Sequence, residues 1–271
     1  MAPFRYDDQR VVISGASSGM GAATAAMLVD AGAEVYALDV REVTVPVAKA
    51  FETDVGDAAA VDRALAAIGP PVHKLFNVAG VPQTHPPERV FAVNFLGLRH
   101  LTEQAVALMP EGGAVASVAS LAGMGWSEHL AAINEVLDLP DLDAGRDWAA
   151  AHLAGLGDPY FFSKECVIVY TFREAPRLNR TRDIRINCVS PGPVDSPMMV
   201  DFRAALSSAT IDWTATQANG RLGRPEEMAP PLLFLNSDEA SYVSGHNLLV
   251  DAGFTAAMTT GQVDFATLPS T

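Results

Sequence analysis

Cysteine, lysine and long runs of one charge or of apolar residues are all scarce in this sequence, and each scarcity removes a class of protein. Cys166 and Cys188 are the only cysteines among 271 residues, too few for a disulfide-built secreted scaffold. Lysine occurs only at Lys49, Lys74 and Lys164, and the formal net charge is −14. That field repels a phosphate backbone, so nucleic acid is not an expected partner. No apolar run is long enough to span a bilayer, and the opening MAPFRYDDQR lacks the apolar stretch of a signal peptide. A cytoplasmic protein without a membrane partner is the expectation. Histidine and cysteine show no metal-ligand spacing; His85 and His246 stand alone, so no metal is expected.

Apolar residues are abundant instead: 49% of the chain is hydrophobic and only 18% charged, which suits one large buried core rather than disorder. The length fits a single α/β domain over 1–271. Strand-like runs lie at 10–14, 34–38, 74–78, 114–118, 184–189 and 247–250. Helical patterns sit between them, notably at 21–31, 89–109 and 225–235. Strands separated by helices of this length imply right-handed βαβ units, and near-continuous apolar strands imply a parallel sheet covered on both faces. One stretch breaks the alternation: 123–159 is long, with helical patches at 128–137 and 148–156.

Gly15, Gly19 and Gly21 fall in a turn between the first strand and the first helix, with Ser17, Ser18 and Met20 among them. Glycines there let backbone approach a pyrophosphate at a helix N-terminus. Asp39 closes the second strand, where a carboxylate can accept from both ribose hydroxyls and repel a 2′-phosphate. NAD is therefore expected over NADP, with Arg41 the residue that could weaken the preference; a strand-end acid facing water is the alternative. Tyr160 and Lys164, in Y-F-F-S-K, lie on one face of a helix. A free tyrosine titrates near about 10; a nearby cation would favour its phenolate and make it an acid/base group.

With these residues in place the sequence resembles the short-chain dehydrogenase/reductase family over nearly its whole length. The glycine turn resembles T-G-x-x-x-G-x-G, with Ser14 in place of threonine. Asp54-Val55 is similar to the pair that contacts adenine, and Asn77-Val78-Ala79-Gly80 to N-N-A-G. Asn94, in V-N-F-L-G, is similar to the asparagine that supports a proton relay. The resemblance gives Ser120 the role of substrate-oxygen stabiliser, with Ser117 a competing candidate because the usual Asn-x-Ser-Ser reads Ser-Val-Ala-Ser. Pro191, Gly192, Val194 and Ser196 resemble the P-G-x-V-x-T loop that holds the nicotinamide. G-R-P-E-E-M-A at 223–229 and V-D-A-G at 250–253 match two more family patterns.

The resemblance implies a single-domain, Rossmann-type, doubly wound, seven-stranded parallel sheet with helices on both faces. It implies NAD as cofactor, hydride transfer to or from a small hydrophobic alcohol or ketone, and a homodimer or homotetramer. It is strongest to the 3α-hydroxysteroid dehydrogenase/carbonyl reductase and coniferyl-alcohol dehydrogenase branch, where a similar insertion follows the catalytic serine. Here 39 residues separate Ser120 from Tyr160. This insertion, 123–159, would either wall the cleft or cover a surface used for oligomerisation. In the substrate-loop region 192–222, Met198, Met199, Phe202 and Trp213 are expected to meet substrate, joined by Trp126 and Phe161; core packing is the alternative for each. No arginine cluster for a carboxylate or phosphate is visible. Two other readings stay open: a nucleotide-sugar epimerase or dehydratase, and a non-catalytic NAD-sensing protein.

Overall fold

The structure, a computed structural model, describes residues 4–269; residues 1–3 and 270–271 of the expected domain lie outside the described residues. Seven strands form one sheet: β1 (Arg10–Ser14), β2 (Glu34–Asp39), β3 (Lys49–Glu52), β4 (Lys74–Asn77), β5 (Ala114–Val118), β6 (Arg185–Pro191) and β7 (Asn247–Val250). Their order is β3-β2-β1-β4-β5-β6-β7, and every pairing is parallel. The order reverses between β1 and β4, which opens a crevice beyond the carboxyl ends of the strands.

The helices are α1 (Gly19–Asp30), α2 (Ala58–Ile68), α3 (Pro87–Phe91), α4 (Leu98–Ala107), α5 (Leu130–Leu137), α6 (Leu142–His152), α7 (Pro159–Arg182), α8 (Met199–Leu206), α9 (Ser208–Gln217), α10 (Pro225–Asn236) and α11 (Phe254–Thr259). On one face of the sheet α1 and α10 bury Ala25, Leu28, Leu232 and Leu233 against Val11, Ile13 and Phe76. The other face carries α2, α4 and α7, burying Leu65, Leu101 and Ile168 against Val12, Leu75 and Val115. Each fully buried leucine or isoleucine contributes roughly 1.5–3 kcal/mol. Strands enclosed on both sides have no solvent face, which is why β1, β4 and β5 read as unbroken apolar runs.

Several elements lie outside the sequence expectations, β3 and α2 among them. β3 (K-A-F-E) is a mostly exposed edge strand, so it lacks the apolar signature of its neighbours. α2 is announced by Asp57, whose carboxylate accepts from the N–H groups of Ala59 and Ala60, the usual work of an N-cap. The 89–109 pattern is also not one α-helix. A π-helical stretch at Ala92–Gly97 separates α3 from α4.

The segment 123–159 holds α5 and α6 and is part of the core. Ile133, Val136, Leu142 and Ala149 are buried with α4 and α7. A Cβ on Gly145 would lie 2.4 Å from Leu96 Cδ2, and Trp148 stacks on Phe162 at 5.9 Å between centroids. No helix of the described residues is long and apolar enough to cross a membrane.

Candidate active site

The first strand ends in Ser14, whose hydroxyl accepts from the Val78 and Ala79 N–H groups at 3.2 and 3.3 Å. This joins the glycine turn to the segment after β4. Gly15 has φ +79°, and a Cβ there would stand 2.6 Å from the Ala79 backbone; at Gly21 it would stand 1.8 Å from the Gly15 carbonyl oxygen. A side chain fits at neither position. A Cβ on Gly19 would meet that of Ser196 at 3.4 Å, so the turn faces the 191–196 loop across the crevice. Pro191 ends β6, Gly192 follows it, and Val194 is fixed by a parallel bridge to Gly223.

Asp39 is buried at the end of β2. Its carboxylate accepts from Ser17 N–H at 2.8 Å and Arg41 N–H at 2.9 Å, while Arg41 Nη2 donates to Ser18 Oγ at 2.7 Å. The Ser17 hydroxyl is buried in the turn and has no partner. Asp54 accepts from Gly56 N–H and pairs with Arg89 at 2.6 Å. Burial opposes its ionisation, but these partners outweigh it and hold the carboxyl below its usual range. Val55 is buried under the π-helical stretch; a Cβ on Gly97 would lie 2.0 Å from its carbonyl oxygen. The Asn77 Nδ2 donates to Thr102 Oγ1 and Ser117 Oγ at 2.9 and 3.1 Å, tying β4 to α4 and β5, while its buried Oδ1 has no partner. The bond from Nδ2 commits Ser117 to the interior.

Ser120 leads β5 into a tight turn, its Oγ accepting from Ala122 N–H at 3.1 Å. That turn is pressed onto α7: a Cβ on Gly123 would lie 2.7 Å from the Lys164 backbone. α7 begins at Asp158-Pro159, an N-cap carboxylate accepting from Tyr160 N–H at 2.7 Å and a proline at the first helical position. Tyr160 is thereby placed in the first turn, with Ser120 beside its hydroxyl. Burial pushes the phenol up to about 12, and the Ser120 hydrogen bond opposes that rise. Lys164 lies one turn on, Nζ 5.7 Å from the Tyr160 ring centroid and donating to the Val118 carbonyl at 2.9 Å. Burial pushes its ammonium down to about 8.

A cation one turn away was expected to draw the phenol down; within the protein alone burial prevails. Asn94 sits in the π-helical stretch, where the regular hydrogen-bond ladder is broken. Its side chain accepts from Val81 N–H at 2.8 Å and donates to the Val81 carbonyl at 3.0 Å. Gly80 stands between Asn94 and Lys164.

Of the apolar residues expected at the substrate, Phe202 covers the site, its ring edge-on to Tyr160 at 5.1 Å. Phe161 flanks Tyr160 at 6.4 Å and is partly exposed. Met198 precedes α8, and Met199 is buried beneath it. Two expectations need correction. Trp126 packs edge-on against Phe172 at 5.7 Å, three turns along α7 from Tyr160 and about 18 Å down its axis. Trp213 points to the chain's C-terminal segment: Nε1 donates to Thr267 Oγ1 at 2.8 Å and the ring meets Phe265 and Phe254. In both cases a large indole found a ready-made apolar partner outside the crevice. The sequence also gave no sign that Arg203, Arg221 and Arg224 gather with Asp195 around one hollow; Asp212 and Glu227 pair with them.

Arg89, Gly123 and the Thr84–Asp201 contact, in which Thr84 Oγ1 donates at 2.9 Å, also shape the site without a motif to mark them. The glycines of L-A-G-M-G were the available signal for the close turn. Among the described residues no group of three His, Cys, Asp or Glu side chains could hold a metal ion.

A family model described as short chain dehydrogenase matches residues 9–132, and one described as enoyl-(acyl carrier protein) reductase matches residues 150–255. The coniferyl-alcohol dehydrogenase of Pseudomonas sp. (strain HR199 / DSM 7063) is 30% identical over 91% of this chain and 96% of its own. The 3-alpha-hydroxysteroid dehydrogenase/carbonyl reductase of Comamonas testosteroni is 30% identical over 92% and 97%. The crystal structure of the 3-alpha-hydroxysteroid dehydrogenase from Pseudomonas sp. B-0831, complexed with NADH, superposes with a TM-score of 0.76 at 25% identity, covering 93% and 99%.

Proposed function

The chain belongs to the short-chain dehydrogenase/reductase family, and on that premise we propose that it oxidises a cyclic or aromatic secondary alcohol, reversibly, with NAD. The observation that carries this reading is the meeting of Tyr160, Ser120 and Lys164 opposite the glycine turn. The residues fit a dinucleotide. Gly15 and Gly21 leave room only for backbone, the Ser17 hydroxyl is buried without a partner, and the Asp39 side chain accepts from two N–H groups. Gly15 to Gly21, Asp39, Asp54, Val55, Ala79, Gly80 and the Pro191, Gly192, Val194 and Ser196 loop are its proposed contacts. When bound, the oxidised nicotinamide supplies the hydride acceptor and a positive charge near the phenol.

The protein's own groups handle the proton. Tyr160 takes it from the alcohol oxygen in oxidation and returns it in reduction. Ser120, free of the Asn77 network that holds Ser117, donates to the same oxygen and stabilises charge on it. Lys164 keeps a buried cation next to Tyr160 and would be the residue to hold the ribose of a bound nicotinamide cofactor. Asn94 fixes the Val81 backbone from within the π-helical stretch, the place proposed for it in a proton relay. Phe202 and Phe161 offer apolar surface to the substrate. Asp39 favours NAD; Arg41, already on Ser18, is the residue through which NADP would gain. A homodimer or homotetramer is the proposed assembly.

The test is NADH formation by the purified protein with NAD and a panel of steroid, aryl and cyclic alcohols, repeated with NADP. Tyr160→Phe should lower kcat by about 10²- to 10⁴-fold while NADH binding, read by fluorescence, survives. No turnover of any alcohol by the wild type, despite NADH binding, would return the chain to the sensing class; normal turnover by the mutant would remove Tyr160 from the proton-transfer role.

A further inference from the structure

Gln83 follows Asn77-Val78-Ala79-Gly80 in a short segment pinned at both ends by the site. Val81 is clamped by Asn94, and Thr84 donates to Asp201 on α8. The residue next to Asp201 is Phe202, whose ring covers Tyr160. The Gln83 amide oxygen and nitrogen are both buried, and neither has a hydrogen-bond partner. Among the described residues it is the one side chain left with both a donor and an acceptor unmet. Leaving a buried polar group unpaired costs about 1–3 kcal/mol, and such exceptions call for a reason. The fold gains nothing visible from this amide: it caps no helix and ties no two elements together.

From this we infer that Gln83 reads a second, uncharged oxygen on the substrate, remote from the reacting carbon, so that the preferred substrate is a hydroxylated cyclic alcohol. The inference rests on the alcohol-dehydrogenase reading of the same site. A hydroxyl matches the amide best, since it accepts from the N–H and donates to the C=O. A carboxylate handle is disfavoured, because the neutral amide brings no cation and Asp201 is anchored to the adjoining residue. Sites built to bond a substrate hydroxyl reject the analogue without it, because their buried groups are then left unpaired.

The probe pair is cyclohexanol and cyclohexane-1,4-diol, titrated calorimetrically into the full chain saturated with NADH, where no turnover intervenes. The wild type should bind the diol on the order of tenfold more tightly. Gln83→Leu and Gln83→Met should bring the ratio close to one, and Gln83→Asn should restore part of it. Both apolar variants should also melt higher than the wild type without ligand, because they remove an unpaired buried amide; a structural glutamine would melt lower when replaced. A wild-type ratio near one, a ratio unchanged in both apolar variants, or an equal loss for both alcohols would overturn the assignment. Oxidation of cyclohexanol itself reports separately on the alcohol-dehydrogenase reading, and the binding ratio decides Gln83 whichever way that falls.

Discussion

Where the crevice is bounded by the ends of β1, β2 and β4, the contacts are between backbones; where α8 and α9 close it, they are between side chains. On the first side, hypothetical Cβ atoms at Gly15 and Gly21 fall 2.6 and 1.8 Å from backbone atoms, and Asp39 is locked by N–H groups. On the second, α8 and α9 bury only Met199, Ile211 and Ala215, and Phe202 meets Tyr160 through a single ring contact. Backbone contacts leave few alternatives, so the side proposed for the cofactor is held to one geometry. Side-chain contacts can be repacked one at a time, which suits the side proposed to match a particular substrate.

The contrast can be broken most directly at Gly21. Gly21→Ala forces a methyl into the Gly15 carbonyl, and loss of NADH binding together with a lower melting temperature is expected, followed by fluorescence titration and circular dichroism. Retained binding would show that the turn is softer than its contacts imply. Asp39→Ala comes next. It removes charge-assisted hydrogen bonds of about 1.5–3 kcal/mol, so the ratio of kcat/KM for NAD over NADP should fall at least tenfold, with Arg41 left to attract a 2′-phosphate.

A pH profile then sharpens the link between the two sides. Oxidation needs Tyr160 deprotonated, and burial holds it near about 12, so kcat/KM for the alcohol should rise with pH from neutrality. Lys164 loses its proton at about 8, withdrawing a cation, so the rise should bend there by a few-fold. Reduction, which uses the protonated phenol, should show no such rise. The smallest effect is expected at Trp213→Leu. Its ring faces Phe265 and Thr267, so kcat/KM should change by less than about twofold while the melting temperature falls as buried aromatic area is lost.

The sequence was most informative where chemistry and backbone geometry coincide. β1 and β5 could be bounded to the residue, because strands enclosed on both faces carry their own signature; β7, though only partly buried, keeps the same apolar run. The glycine turn, Asp39 and the Tyr160/Lys164 pair could be read because each needs a particular residue at a particular spacing. Trp126 and Trp213 could not be placed, since hydrophobicity says that an indole will be buried and nothing about which apolar surface receives it. The partnership of Asn77 with Ser117 was equally hidden: it follows from the β4–β5 register, which aligns the two, and register is not written in either strand alone. The Gln83 amide belongs with these, because an unmet hydrogen bond exists only relative to neighbours.

The 39 residues between Ser120 and Tyr160 raise a question of chain entropy. Each doubling of a flexible loop adds about 0.6 kcal/mol to the cost of holding its ends together. Against a connection a quarter as long, this one carries roughly 1.2 kcal/mol more, set against the proximity of two groups that must stay together. Burial of Ile133, Val136, Leu142 and Ala149 beside α4 and α7 removes that freedom, turning a slack tether into two rigid rods with fixed ends. The spacing of serine and tyrosine is therefore governed in part by the fit of α5 and α6 against α4 and against α7, the helix that carries Tyr160.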